Sequence, residues 1–410
     1  MLLIGVLLAK MSVPLETIGI YESTLFLSGI CTFFWVSGIL NSTLSVYPNK
    51  TEEDRKRFLF NIGIIITIFS IITTIAVSMY LFFSQQKMVS NESIKVAIII
   101  YILVNTPTYF NEYYLLLTER KKQLILYGVS GFAINVIAVI LPVLLTGEIL
   151  YSIYGLIIFS AIKLLIFVGI LARQTIHKID GEQILLFLKS ASPLIISILI
   201  SGSADYIDSW LVVTYFGQEK FAIFRYGAKE LPLSLILANS MSTAMIPILS
   251  SGQNIKDNFG TLIKESKLLM NWLFPVTIFL LLASKYLYPL IFSTAFEESA
   301  GIFNIYLLLI ISRMVFPQSI MMALDAKREI FHTAILEIII NITASYLLML
   351  KFGIQGIAYG TVIAFFMEKL ILLMILKSKG VDIQEFTPVR LWIGYSTLMI
   401  LTYYFVENFL

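Results

Sequence analysis

Charge is what this chain has least of. Asp, Glu, Lys and Arg make up 13% of its 410 residues against 58% hydrophobic ones, and the mean hydropathy is +0.88. A soluble globular domain carries about 25% charged residues, so that class is excluded. Histidine and cysteine are also scarce, with two of the first and one of the second. Cys31 lies alone in an apolar run, so neither a disulfide framework nor a cysteine metal site can be built. His177 and His332 have no Cys or carboxylates at metal-ligand spacing. Neither a G-x-S-x-G nor a P-loop pattern occurs. The chain is therefore expected to be no enzyme, to bind no cofactor or metal and to hydrolyse no ATP. Its Lys and Arg are dispersed over many short polar segments, which speaks against nucleic acid as a partner.

Strict polar/apolar alternation is missing too, which excludes an outer-membrane β-barrel and leaves an all-α polytopic membrane protein. Runs of the span length, about 20 residues, are predicted at Thr17–Val46, Phe58–Phe83, Val96–Leu117, Leu124–Leu145, Ile149–Leu171 and Ile184–Phe216. They continue at Phe221–Leu249, Leu268–Phe292, Ile302–Leu324, Ile330–Leu350, Ile354–Leu376 and Leu391–Val406. An apolar run at Leu2–Ala9 is too short to span and counts as helix one. Basic clusters follow the even-numbered helices: Lys50 with Arg55, Lys56 and Arg57, then Arg120 to Lys122, Arg173 with Lys178, Lys256 with Lys264 and Lys267, Lys327 with Arg328, and Lys377, Lys379 and Arg390. Such asymmetry places those loops, and the N-terminus, in the cytoplasm.

The chain repeats itself weakly. Shifted by about 203 positions, residues 8–23 align with 211–226, so that Glu16 falls on Glu219 and Ile20 on Ile223. Tyr154-Gly155 likewise aligns with Tyr359-Gly360. Six helices per half is an even number, so the repeat is parallel, with a pseudo-twofold axis along the membrane normal. The expected organisation is an N-lobe at 1–183, a C-lobe at 184–380 and an appended C-terminal helix at 381–410. The counterpart of helix seven would begin before Met1, so the visible chain is expected to start inside helix one, short by roughly one to two dozen residues.

The stretch 187–250 carries the densest signals. It holds K-x-x-x-P-L from Lys189 to Leu194, Asp205 and Asp208, Phe216-Gly217, A-I-F-x-Y-G from Ala222 to Gly227, and Glu-Leu-Pro at 230–232. These motifs, with the six-plus-six arrangement, resemble the polysaccharide flippases that export O-antigen and capsule, a family of the multidrug/oligosaccharidyl-lipid/polysaccharide superfamily. The resemblance implies a MATE-like fold in which two lobes form a V around a central cavity and rock between inward and outward openings. It further implies a bacterial cytoplasmic membrane location and a lipid-linked oligosaccharide cargo on undecaprenyl pyrophosphate, carried without making or breaking bonds. A coupling cation, H+ or Na+, and contacts with polymerase or export proteins belong to the same expectation.

The residues themselves are compatible with such a cargo. A pyrophosphate asks for Arg or Lys at membrane depth. Arg225, Lys229 and Arg313 are the expected cavity cations, with Arg225 and Lys229 four apart on one predicted helix face; Lys163 joins them less securely. Snorkelling to the surface, or for Arg313 an ion pair with a helix carboxylate, is the plainer reading. Asp205, Asp208, Glu112, Asn105, Asn111, Glu337 and Asn341 are expected to line the cavity, gate it or bind helices together. Glu368 and Lys369 are expected at the cytoplasmic end. Two other functions stay open: a cation-coupled multidrug antiporter, which wants an acidic cavity, and a membrane glycan polymerase or ligase, which wants a large outer loop.

Overall fold

The computed structural model describes residues 2–83, 91–251 and 255–409. Every regular element among them is helical. Helix α1 spans Leu2–Lys10, α2 Leu15–Val46, α3 Glu52–Phe83, α4 Glu92–Asn105, α5 Tyr109–Leu117, α6 Lys121–Thr146 and α7 Ile149–Gln174. Helix α8 runs through Gly181–Tyr215, α9 Gly217–Gly227, α10 Pro232–Ser250, α11 Phe259–Ile291, α12 Glu297–Leu307 and α13 Leu309–Arg313. Helices α14 Pro317–Ala323, α15 Lys327–Ser378, α16 Ile383–Phe386 and α17 Val389–Phe409 complete the chain. Among the described residues, eleven helical stretches are long and apolar enough to cross a membrane. One of them, α15, is 52 residues long and turns at Gly353, whose φ of 60° marks a break. The left-handed conformation there suits glycine, so α15 is two crossings, matching the runs predicted on either side of residue 353.

Elsewhere the predicted spans are cut, and each cut has a local cause. The run at 96–117 breaks at Thr106–Thr108 because Pro107 has no N–H for the carbonyl of Leu103. The Ser70 hydroxyl donates to that carbonyl instead, at 3.3 Å, while Thr106 and Thr108 donate to Ile102 and Asn105. In lipid such repairs are what make a proline tolerable. The run at 221–249 is not one helix: α9 ends at Gly227, and Pro232 opens α10. The run at 302–324 falls into three pieces, α12, α13 and α14, the last opened by Pro317. Pro193 and Pro275, by contrast, lie inside unbroken helices.

The chain divides into two compact units, one of residues 1–206 and 213–222, the other of residues 207–212 and 223–410. The first packs around Trp35, Ile39, Phe58, Ile62, Phe110 and Phe167. Within it, the two stretches related by the repeat meet, since a Cβ on Gly19 would stand 1.9 Å from the Gln218 carbonyl oxygen. Only Gly lets the backbones approach so closely. Helix α6 buries only Val139 and Val143 and leaves Ile125, Leu126, Val129 and Leu144 exposed. A helix apolar on its outer face suits acyl chains as its solvent. The second unit packs around Phe259, Phe274, Leu281, Met314, Ile320 and Leu372. At the polar end of that unit, Lys379 pairs with Glu329 at 3.0 Å and Lys256 with Glu385 at 2.7 Å.

Candidate functional site

The polar interior of the second unit is built around Asp208, which sits in α8 and is 4% exposed. Its Oδ2 accepts from the Tyr306 hydroxyl of α12 at 2.8 Å and from the Thr361 hydroxyl of α15. Its Oδ1 accepts from Ser345 Oγ at 3.5 Å. Thr361 in turn accepts from Asn341 Nδ2 at 3.1 Å, and Ser345 also donates to the Ile357 carbonyl at 3.1 Å. Asn341 and Ser345 are one helical turn apart on the first limb of α15, so both face the second limb. The turn at Gly353 brings that second limb back. Close packing follows, since a Cβ on Gly360 would lie 2.4 Å from the Ser345 backbone nitrogen. The Oδ1 atom of Asn341 and the Oε1 atom of Glu337 are buried with no hydrogen-bond partner among the described residues. Carboxylate, hydroxyl, amide and carbonyl oxygens thus converge here, a donor set that suits a hard cation.

A second group lies in the same unit. The Arg313 guanidinium meets Glu230 in a two-pronged pair, Nη2 to Oε1 at 2.8 Å and Nε to Oε2 at 3.2 Å. The side chains are 18% and 19% exposed, so loss of either partner would leave a charge with little water around it. Arg313 also lies over the Phe365 ring, 4.7 Å from its centre. Lys369 pairs with its neighbour Glu368 at 2.9 Å, both largely buried. Arg313 and Lys369 share the wall of a cavity of about 40 Å³ with Asn239, Ser242 and Gln318. That is room for water rather than for a sugar.

The first unit has a different centre. Asn105 Oδ1 accepts from Lys163 Nζ at 2.8 Å and from Ser160 Oγ at 3.2 Å. An amide oxygen has two lone pairs, and both are used. Asn111 Nδ2 donates to the Lys163 carbonyl at 2.9 Å and to the Tyr127 hydroxyl at 3.2 Å. Lys163 also stands over the Phe159 ring at 5.1 Å. This cluster ties α4, α5, α6 and α7 together around one cation.

The expected residues therefore separate. The structure brings Asp208 and Asn341 into one cluster, and the charges of Asp208, Arg313, Glu368 and Lys369 all act on Glu337. It joins Asn105, Asn111 and Lys163 in the other. Two expectations need correction. Arg225 and Lys229 do not share a helix face, because Lys229 falls in the break between α9 and α10. Arg313 is not mid-helix but the last residue of α13, and it has the carboxylate partner of the plainer reading. Glu112 is exposed, and its charge acts on Lys163 and Tyr127 of the first unit's cluster. The Asp205 side chain lies outside the described residues. Sequence reasoning missed Tyr306, Ser345 and Thr361, whose hydroxyls carry no periodic signal. It also did not pair Glu230 with Arg313. The i, i+4 spacing of Asn341 and Ser345 was the one available clue.

A family model described as "Lipid II flippase MurJ" matches residues 37–409. The solved structure of a lipid II flippase MurJ in an inward closed conformation superposes with a TM-score of 0.69 at 16% identity, covering 100% of this chain and 90% of that one. The eukaryotic MATE transporter AtDTX14 gives 0.52 at 12% identity, with 97% and 96% covered. A mutant of the Vibrio cholerae MATE transporter VcmN gives 0.51 at 14% identity, with 92% and 95% covered. At these identities the likeness speaks for the fold, which is MATE-like. No curated protein sequence matches the chain.

Proposed function

This chain belongs to the lipid II flippase MurJ family, and from that premise we propose that it moves a lipid-pyrophosphate-linked saccharide across the bacterial cytoplasmic membrane by alternating access. The observation that carries the reading is the match over residues 37–409. The broad resemblance to O-antigen and capsule exporters narrows accordingly: the cargo we propose is lipid II, and an O-antigen-type carrier is the second choice. The loop charges support a cytoplasmic N-terminus. Positive charge for the diphosphate comes from Lys163, Arg225, Lys229 and Arg313, the last held in place by Glu230. No bond in the cargo needs to be made or broken, so the work of the residues is to bind and to release.

A coupling cation belongs to the same proposal. Asp208, Asn341, Ser345, Thr361 and the Ile357 carbonyl would hold it, and Na+ fits their all-oxygen chemistry better than a transition metal does. When bound, it would offset the charge of the carboxylate at the centre of that cluster, which lies away from water. Two-state coupling requires only that the two openings differ in affinity for it.

The test is reconstitution of the full chain in vesicles, with inward and outward exposure of fluorescent lipid II read by a membrane-impermeant quencher. Translocation that rises with Na+ is expected, with an O-antigen-type lipid pyrophosphate moved more slowly. Equal transport of both would shift the cargo to the wider class, and no transport of either would remove the proposal.

A further inference from the structure

The second unit carries a groove that neither polar cluster uses. It lies where α11 passes α16 and the start of α17, has a volume of about 950 Å³, and is lined by Lys267 and Asn271 of α11 with Gln384, Thr387 and Arg390. Ile263, Lys267 and Asn271 recur every four residues and so form one continuous wall. Lys267 and Arg390 are both exposed and make no ion pair among the described residues. No carboxylate lines the groove. The nearest acid in sequence, Glu385, is already engaged by Lys256 at 2.7 Å. Beside the groove, Leu268 and Trp272 of α11 and Ile393 of α17 are exposed, one or two residues along from the lining residues Lys267, Asn271 and Leu391.

Two free cations at the polar end of two membrane helices, above exposed apolar side chains, match a lipid in shape and charge. The cations meet a phosphate, Asn271, Gln384 and Thr387 offer hydrogen bonds to its ester oxygens or glycerol, and the acyl chains run down past Trp272. We propose that this groove holds the headgroup of an anionic phospholipid of the surrounding bilayer. A zwitterionic lipid fits less well, because its ammonium would find cations and no carboxylate. The loop charges put this end of the helices on the cytoplasmic face, where anionic headgroups give such a site its ligand in excess. The site is independent of the cargo reading, since it requires only a membrane.

Native mass spectrometry of the full chain, released from micelles containing phosphatidylglycerol or phosphatidylethanolamine, counts retained lipids. Each of Lys267→Ala and Arg390→Ala is expected to weaken phosphatidylglycerol retention roughly fivefold, and the pair about 25-fold, at about one surface cation's worth of attraction each. Phosphatidylethanolamine retention should not change. Lys264→Ala removes an exposed cation of the same helix that does not line the groove, and should have little effect. Unchanged retention in the double variant, or equal loss with Lys264→Ala, overturns the site. A lipid pyrophosphate that displaces phosphatidylglycerol at equal concentration would assign the groove to cargo and overturn it as well. Since the three positions are exposed, unaltered thermal unfolding of the variants is expected, and the charge-keeping Lys267→Arg should retain the lipid.

Discussion

Asn105 in the first unit and Asp208 in the second are both buried and both accept from side chains of other helices, yet one is an amide and the other a carboxylate. The difference decides what each cluster can do. A neutral amide oxygen is satisfied by Ser160 and Lys163 and leaves the lysine's charge to act on its surroundings. A carboxylate held by three hydroxyls, with an unpartnered amide oxygen nearby, has an oxygen shell to share with a cation. The two polar centres thus differ in sign, one built around the Lys163 ammonium and the other around the Asp208 carboxylate.

The largest effect should come from erasing the contrast. Asp208→Asn turns the second hub into a copy of the first; transport in vesicles should fall more than tenfold and lose its Na+ dependence, because the charge that binds the ion is gone. Retained Na+ stimulation in this variant would place the coupling site elsewhere. Next comes the buried pair. Arg313→Met alone strands Glu230 and should destabilise the protein by about 3–5 kcal/mol, whereas Arg313→Met with Glu230→Leu should recover most of that loss. Thermal unfolding in detergent reads both, and a double variant no better than the single would show that the pair is not the unit of stability.

In the first unit, Asn105→Leu removes the acceptor of the Lys163 ammonium and should destabilise by about 1.5–3 kcal/mol. A loss near that for stranding Glu230 would mean that the amide hub is as charge-dependent as the carboxylate one. A pair of glycines sharpens the comparison further. A Cβ on Gly155 would meet the Ala138 carbonyl oxygen at 2.0 Å, and one on Gly360 the Ser345 side chain at 2.3 Å. Each Gly→Ala should lower stability by about 1–3 kcal/mol, but only Gly360→Ala should also disturb ion dependence, since Ser345 belongs to the Asp208 cluster. The smallest effect is at the polar rim of the second unit. Hydrogen bonding to Lys379 lowers the Glu329 carboxyl below its usual range, and Lys256 does the same for Glu385. Depressed carboxyls contribute stability above their unfolded values and lose it as pH falls through the folded ones. Melting temperature should therefore decline slightly below about pH 4.5, and less steeply in Lys379→Met.

Much of this was legible in the chain. A run of apolar residues long enough for a bilayer must become a helix, because lipid offers no partner for a free backbone group; hence every predicted run is helical over most of its length, three of them in pieces. The broken helices were harder. Pro107, Pro232 and Pro317 announced trouble, but Pro193 and Pro275 carried the same announcement and lie in intact helices. Which of them breaks a helix depends on neighbours such as Ser70, 37 positions from Pro107 in the sequence. The acidic hub was half visible, since Asp208 and Asn341 stood out as polar groups in apolar runs.

By itself, then, the order of residues determined the solvent, the helical class and the repeat, all of which follow from composition and short-range periodicity. Tertiary structure alone decided partnership. Glu230 finds Arg313 across 83 positions and Thr361 finds Asp208 across 153, and nothing in either stretch names the other. Electrostatic pairing needs only that two groups come within a few ångströms in a place without water, a condition set by helix packing and by turns such as the one at Gly353 rather than by sequence neighbours.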